Sequence, residues 1–138
     1  MSVITSTANA RNPQLSVVLD GMARQMPDVA HVVAVSGDGL LLASTATLDG
    51  DRGDQLAAIV SGLVSLARGT ADLLETGGVQ FQMLMMHDGI LVVQQVSDGS
   101  SLAALARADC DPAAVAYELA ALAARIGEAV KPGPRTTG

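Results

Sequence analysis

Residues 52–75 read RGDQLAAIVSGLVSLARGTADLLE, and the spacing within them decides the fold. Leu56, Ile59, Leu63, Leu66 and Leu73 recur at the steps of one helix face, which predicts a helix from Arg52 to Glu75. A second apolar row, Val60, Val64, Ala67, Ala71 and Leu74, lies beside the first. Between the rows runs a stripe of small residues, Ala58, Gly62, Ser65 and Gly69. A glycine inside a helix costs about 1 kcal/mol relative to alanine, so two in one run ask for the close approach of another backbone. A helix that is apolar nearly all round must be covered on more than one side. One side can lie on this chain's own sheet; the other is expected to meet a partner.

Working outward, His31–Ser36 and Leu40–Ser44 are short apolar runs about Gly37-Asp38-Gly39, a strong hairpin signal. The loop Thr45–Gly50 follows, Asp51 is expected to cap the long helix with Asp54 in its first turn, and Gly77-Gly78 to end it. A second hairpin is expected from Val79–Met86 and Ile90–Val96 about His87-Asp88-Gly89. The turn Ser97–Ser100 leads to a fifth strand, Leu102–Ala106. Asn12-Pro13 and Asp111-Pro112 each pair a capping side chain with proline at the first helical position. The first of these helices shows Leu15, Val18, Leu19, Met22 and Met26 on one face, and the last shows Val115, Leu119, Leu122, Ile126 and Val130. Residues 1–11 are expected to be a flexible arm and 132–138 a disordered tail, leaving one domain over 12–131. The order α-β-β-α-β-β-β-α predicts an α+β fold with a five-stranded antiparallel sheet between helices.

With 49% hydrophobic residues but only 1% aromatics among 138, the core must be aliphatic, six methionines filling its gaps. A net charge of −6 without a basic cluster argues against nucleic-acid binding. The single cysteine, Cys110, permits no intrachain disulfide and fits a reducing, cytoplasmic setting. Met1–Ser16 has no basic-then-apolar pattern of a signal peptide. Leu56–Ala67 is short for a membrane span and is interrupted by Ser61, Gly62 and Ser65, so no membrane insertion is expected.

Catalytic signatures are missing. Gly37-Asp38-Gly39 has the wrong glycine spacing for a dinucleotide fingerprint and leads into a strand. No Walker-type phosphate loop is present. Asp49, Asp51 and Asp54 fail the spacing of a calcium loop and suit helix capping. His31 and His87 have no companion at metal-ligand or triad spacing. Asp109 and Asp111 flank Cys110 and would raise a thiol's pKa rather than activate it. No catalytic residue, metal or cofactor is therefore assigned. An enzyme built on His87 and Asp88 and a small-molecule sensor remain as alternatives, although a sensor pocket would want more aromatic and convergent polar groups.

Val79–Met86 contains no charge or proline, and a free edge strand of that kind invites aggregation. It should be covered, by neighbouring strands or by a second subunit. With the long helix it can form one self-complementary patch, the basis of a two-fold dimer. The residues assigned to that interface are Ala58, Gly62, Ser65, Gly69, Val79, Phe81 and Met83.

The run Val32-Val33-Ala34-Val35-Ser36-Gly37-Asp38-Gly39-Leu40-Leu41-Leu42-Ala43, followed by the small-residue helix, resembles the Roadblock family of dynein-light-chain-related domains. Leu84-Met85-Met86-His87-Asp88-Gly89-Ile90-Leu91-Val92-Val93 resembles the family's second hairpin, and the resemblance runs from about Pro13 to Val130. It implies a profilin-like sandwich and a homodimer through the long helix and third strand. The style is most similar to actinobacterial members, typically encoded beside a sensor histidine kinase and a Ras-like small GTPase. Relatives of the MglB type bind such a GTPase on the paired long helices, and some stimulate its hydrolysis. The resemblance thus implies a non-catalytic regulator or scaffold, with stimulation left open and Arg68 and Asp72 as rim contacts or merely solvated charges.

Overall fold

The computed structural model describes residues 12–130; the arm at 1–11 and the tail at 132–138 fall outside the described residues. In chain order the elements are α1 (Pro13–Gln25), β1 (Val29–Val35), β2 (Leu41–Ser44), α2 (Gly50–Leu74), β3 (Gln82–Met86), β4 (Gly89–Gln95), β5 (Ser101–Ala106) and α3 (Pro112–Val130). The strands form one sheet in the order β2-β1-β5-β4-β3, antiparallel at every pairing. The expected α+β architecture and element order are what the chain adopts.

Local chemistry sets the boundaries. The Asn12 side chain accepts from the Leu15 amide at 3.1 Å with Pro13 opening α1. Asp111 does the same for α3, accepting from the amides of Ala113 and Ala114. The cap of α2 is Asp49, which accepts from the Arg52 amide at 2.9 Å, so the helix begins at Gly50 and the expected cap, Asp51, lies inside its first turn. Nor does α2 run on to the glycine pair: Glu75 closes it in the left-handed region at φ 54°. β3 starts at Gln82, three residues later than expected, because its ladder with β4 opens at the pair Gln82–Val93. In compensation, β1 starts two residues early, at Val29, which pairs with Ala106 of β5.

Two aliphatic cores flank the sheet. On one face α1 and α3 bring Leu19, Met22, Val115, Leu119 and Leu122 onto Val32, Ile90, Val92, Leu102 and Ala104. On the other, α2 alone lays Ala57, Val60 and Val64 on Val33, Val35, Leu91, Val93 and Ala103. β1, β4 and β5 are thus covered on both faces and read as continuous apolar runs. Two helices cover the first face and one covers the second. By length and composition alone α2 could cross a membrane, further than the short run Leu56–Ala67 suggests, yet its inner row is seated on the sheet.

Candidate interaction surface

α2 divides lengthwise at 100° per residue. Gly53, Ala57, Val60 and Val64 are buried against the sheet. Ala58, Gly62, Ser65 and Gly69 are all exposed on the outward side. Ile59, Leu66, Leu73 and Leu74 share that exposure at 55–79%. A Cβ added at Gly62 or Gly69 would meet nothing within 4 Å, so no neighbour among the described residues explains either glycine. Gly53 is the contrast: its Cβ would stand 2.8 Å from Leu41 Cδ2, so a side chain there would require the leucine methyl to move.

β3 is an outer strand, paired on one side by β4. Leu84 and Met86 stand on its α2 side and, with Leu56, Ile59, Leu91 and Leu105, line a cleft of about 330 Å³ beneath the helix. Met83 turns the other way and packs on the α1–α3 core, while Met85 is 68% exposed. The face of α2 and the open edge of β3 therefore make an apolar surface through Ile59, Leu66, Leu84 and Met86, with Arg52 and His31 among the residues lining its cleft. Monomeric proteins seldom leave such a patch in water unless it binds something.

Of the residues singled out from the sequence, the four small ones of α2 lie together on the exposed side. Val79 and Phe81 precede β3 rather than belonging to it, and line a separate cleft against Gln94, Ala116 and Tyr117 on the α3 side. Leu84 and Met86 escape the sequence reading, because strand alternation assigns faces only once register is known, here Leu84 opposite Leu91. Arg68 and Asp72 are exposed near the end of α2 and line one cleft with Glu75 and Gly77; neither forms an ion pair among the described residues.

Two titratable groups among the described residues are shifted by their surroundings. A His31 ring nitrogen (Nδ1) lies 2.8 Å from the Thr47 hydroxyl, and burial, followed by the charge of Arg52, lowers its pKa. Burial first, then Asp28, Asp109 and Asp111, push the Cys110 thiol up, the direction its flanking aspartates suggest. Among the described residues no three His, Cys, Asp or Glu side chains gather closely enough to hold a metal ion.

The Roadblock/LC7 domain profile matches residues 15–106. Among solved structures, the Roadblock/LC7 domain from Streptomyces avermitilis is 29% identical, covers 85% of this chain and 98% of its own, and superposes with a TM-score of 0.80. MglB of Myxococcus xanthus is 16% identical over 85% of this chain and 94% of its own, TM-score 0.76. LokiProfilin1, solved in complex with rabbit actin, shares the fold at 10% identity, TM-score 0.56, over 86% of this chain and 98% of its own. No curated protein sequence matches.

Proposed function

We propose, from the premise that this chain belongs to the Roadblock/LC7 domain family, that it is a non-catalytic dimeric regulator or scaffold for a small Ras-like GTPase in bacterial signalling. The supporting observation is the apolar side of α2, open at Gly62 and Gly69 and continuous with the free edge of β3. A two-fold copy would bring helix to helix and edge to edge, so each chain supplies what the other lacks. The two glycines would let the paired helices approach, and the joined edges would make one ten-stranded sheet from two of five. Ala58, Ser65, Val79 and Phe81 belong to the same interface or its border, with Met83 buttressing β3 from behind.

The GTPase is the partner this reading favours, supported by the family and by the fold shared with MglB. Arg68 and Asp72 flank the helix platform as rim contacts. Modulation of GTP hydrolysis, a cytoplasmic location and association with a sensor histidine kinase complete the proposal; the likeness to a Streptomyces domain supports an actinobacterial setting.

The test is a pull-down from source-organism lysate, run with GDP and with a non-hydrolysable GTP analogue and read by mass spectrometry. Enrichment of a Ras-like GTPase in one nucleotide state is the expected result. A folded dimer that retains no GTPase in either state would overturn the regulator assignment and leave a scaffold or sensor for something else.

A further inference from the structure

On the flank of α2 opposite the apolar cleft, the β1–β2 and β4–β5 turns lean on one another. A Cβ at Gly37 would stand 3.4 Å from the Gly99 carbonyl oxygen, and one at Gly39 would stand 3.3 Å from Ser61 Oγ of α2. Between these turns and the helix is a pocket of about 210 Å³ onto which Ser36, Ser61, Ser65, Ser101 and Arg68 converge. Five side chains from three separate stretches of sequence meet there, and every one carries a donor.

Three features mark the pocket as built for an acceptor. Ser101 is only 6% exposed as a residue, and its hydroxyl, which makes no hydrogen bond among the described residues, keeps its oxygen open to the pocket's space rather than sealed in the core. Ser36 Oγ already accepts from the Leu40 amide at 3.0 Å, which leaves its own hydrogen to donate. Arg68 stays out of any ion pair among the described residues, in a chain with fourteen acidic side chains. No carboxylate lines the pocket, and Asp98 in the adjoining turn is engaged by the amide and hydroxyl of Ser100. A guanidinium fork donates only, so a negative group rich in acceptors would suit it in this pocket.

We propose that this pocket binds a phosphate-sized oxyanion, taken either as free inorganic phosphate or as the terminal phosphoryl group of a nucleotide. Arg68 supplies the charge and a two-pronged contact, and the serine hydroxyls complete the tetrahedral shell. The site lies on the other flank of the helix from Leu84 and Met86, and it shares Ser65 and Arg68 with the interface and rim proposed above.

The test is an amide NMR titration of the full chain with inorganic phosphate and, separately, with GDP, at constant ionic strength set by potassium chloride. Saturable shifts confined to Ser36, Gly37, Ser61, Arg68, Gly99 and Ser101 are expected, with at least tenfold weaker binding in Arg68→Gln. Saturation by GDP at much lower concentration than by phosphate identifies the nucleotide as the source; equal or tighter binding of phosphate identifies the free ion. A Ser101→Ala variant, small enough to keep the strand, should weaken binding as well. Linear shifts in both titrations, or shifts identical in Arg68→Gln, would overturn the site.

Discussion

Glu75 is the residue at which local strain is most exposed to measurement. It is the single non-glycine with positive φ among the described residues, and it sits where α2 must stop. An L side chain in that region costs about 1–2 kcal/mol, and an acidic one also faces the negative end of the helix dipole. Glu75→Gly should raise the free energy of unfolding by about 1 kcal/mol, after allowing for glycine's greater freedom when unfolded. Urea denaturation would show it as a higher midpoint; a lower one would mean that the glutamate makes contacts worth more than its strain. His31 offers a pH handle. Its folded pKa lies below the ordinary 6.5, so the unfolded chain takes up the proton more readily. Its contribution is therefore complete above pH 6.5 and is lost as pH falls through 6.5 toward the lower folded value. Thermal melts between about pH 7 and pH 5 should fall more steeply for the parent chain than for His31→Gln.

At the scale of elements, Gly62 separates two accounts of α2. In an isolated chain the position is open, and Gly62→Ala should stabilise the helix by about 1 kcal/mol. Where a second helix backbone rests on it, the added methyl holds the pair apart and weakens association instead. Sedimentation of Gly62→Ala alongside its melting curve distinguishes the outcomes: a dimer weakened about tenfold, roughly 1.4 kcal/mol, is expected. An unchanged dimer with a higher melting temperature would move the interface elsewhere. The element boundaries also show where sequence stops deciding. Asp49, Asp51 and Asp54 are all able caps, and only the backbone geometry selects Asp49, whose carboxylate reaches the amide three residues on. Val79-Gln80-Phe81 alternates like the strand that follows, yet it contributes nothing to the ladder, since β4 is paired to β3 only as far as Val93.

Over the whole molecule, the element order and the antiparallel sheet were legible because each turn carries its own glycine or proline and each run its own period. The small-residue stripe of α2 was legible too, because all its members lie within one helix. The rest of the surface was not, for a physical reason. Leu84 and Met86 become neighbours of Ile59 only through strand register and the seating of α2 on the sheet. The serine pocket joins two turns more than sixty residues apart in the chain, Gly37 and Gly99, and no local pattern reports that contact. The surface as a whole makes one collective prediction. If folding and association are coupled, stability should rise with protein concentration by about 1.4 kcal/mol per mole of dimer for each tenfold increase. Calorimetric melting temperatures that do not move with concentration from micromolar to millimolar chain would count against the dimer.

The sandwich has a front and a back. α2 fills the front alone, while α1 and α3, the first and last described elements, both lie on the back. Asn12 and Val130, the two ends of the described residues, therefore belong with the helices behind the sheet. Immobilised through side chains of α1 or α3 on a sensor surface, the molecule would hold its helix platform out to the solution.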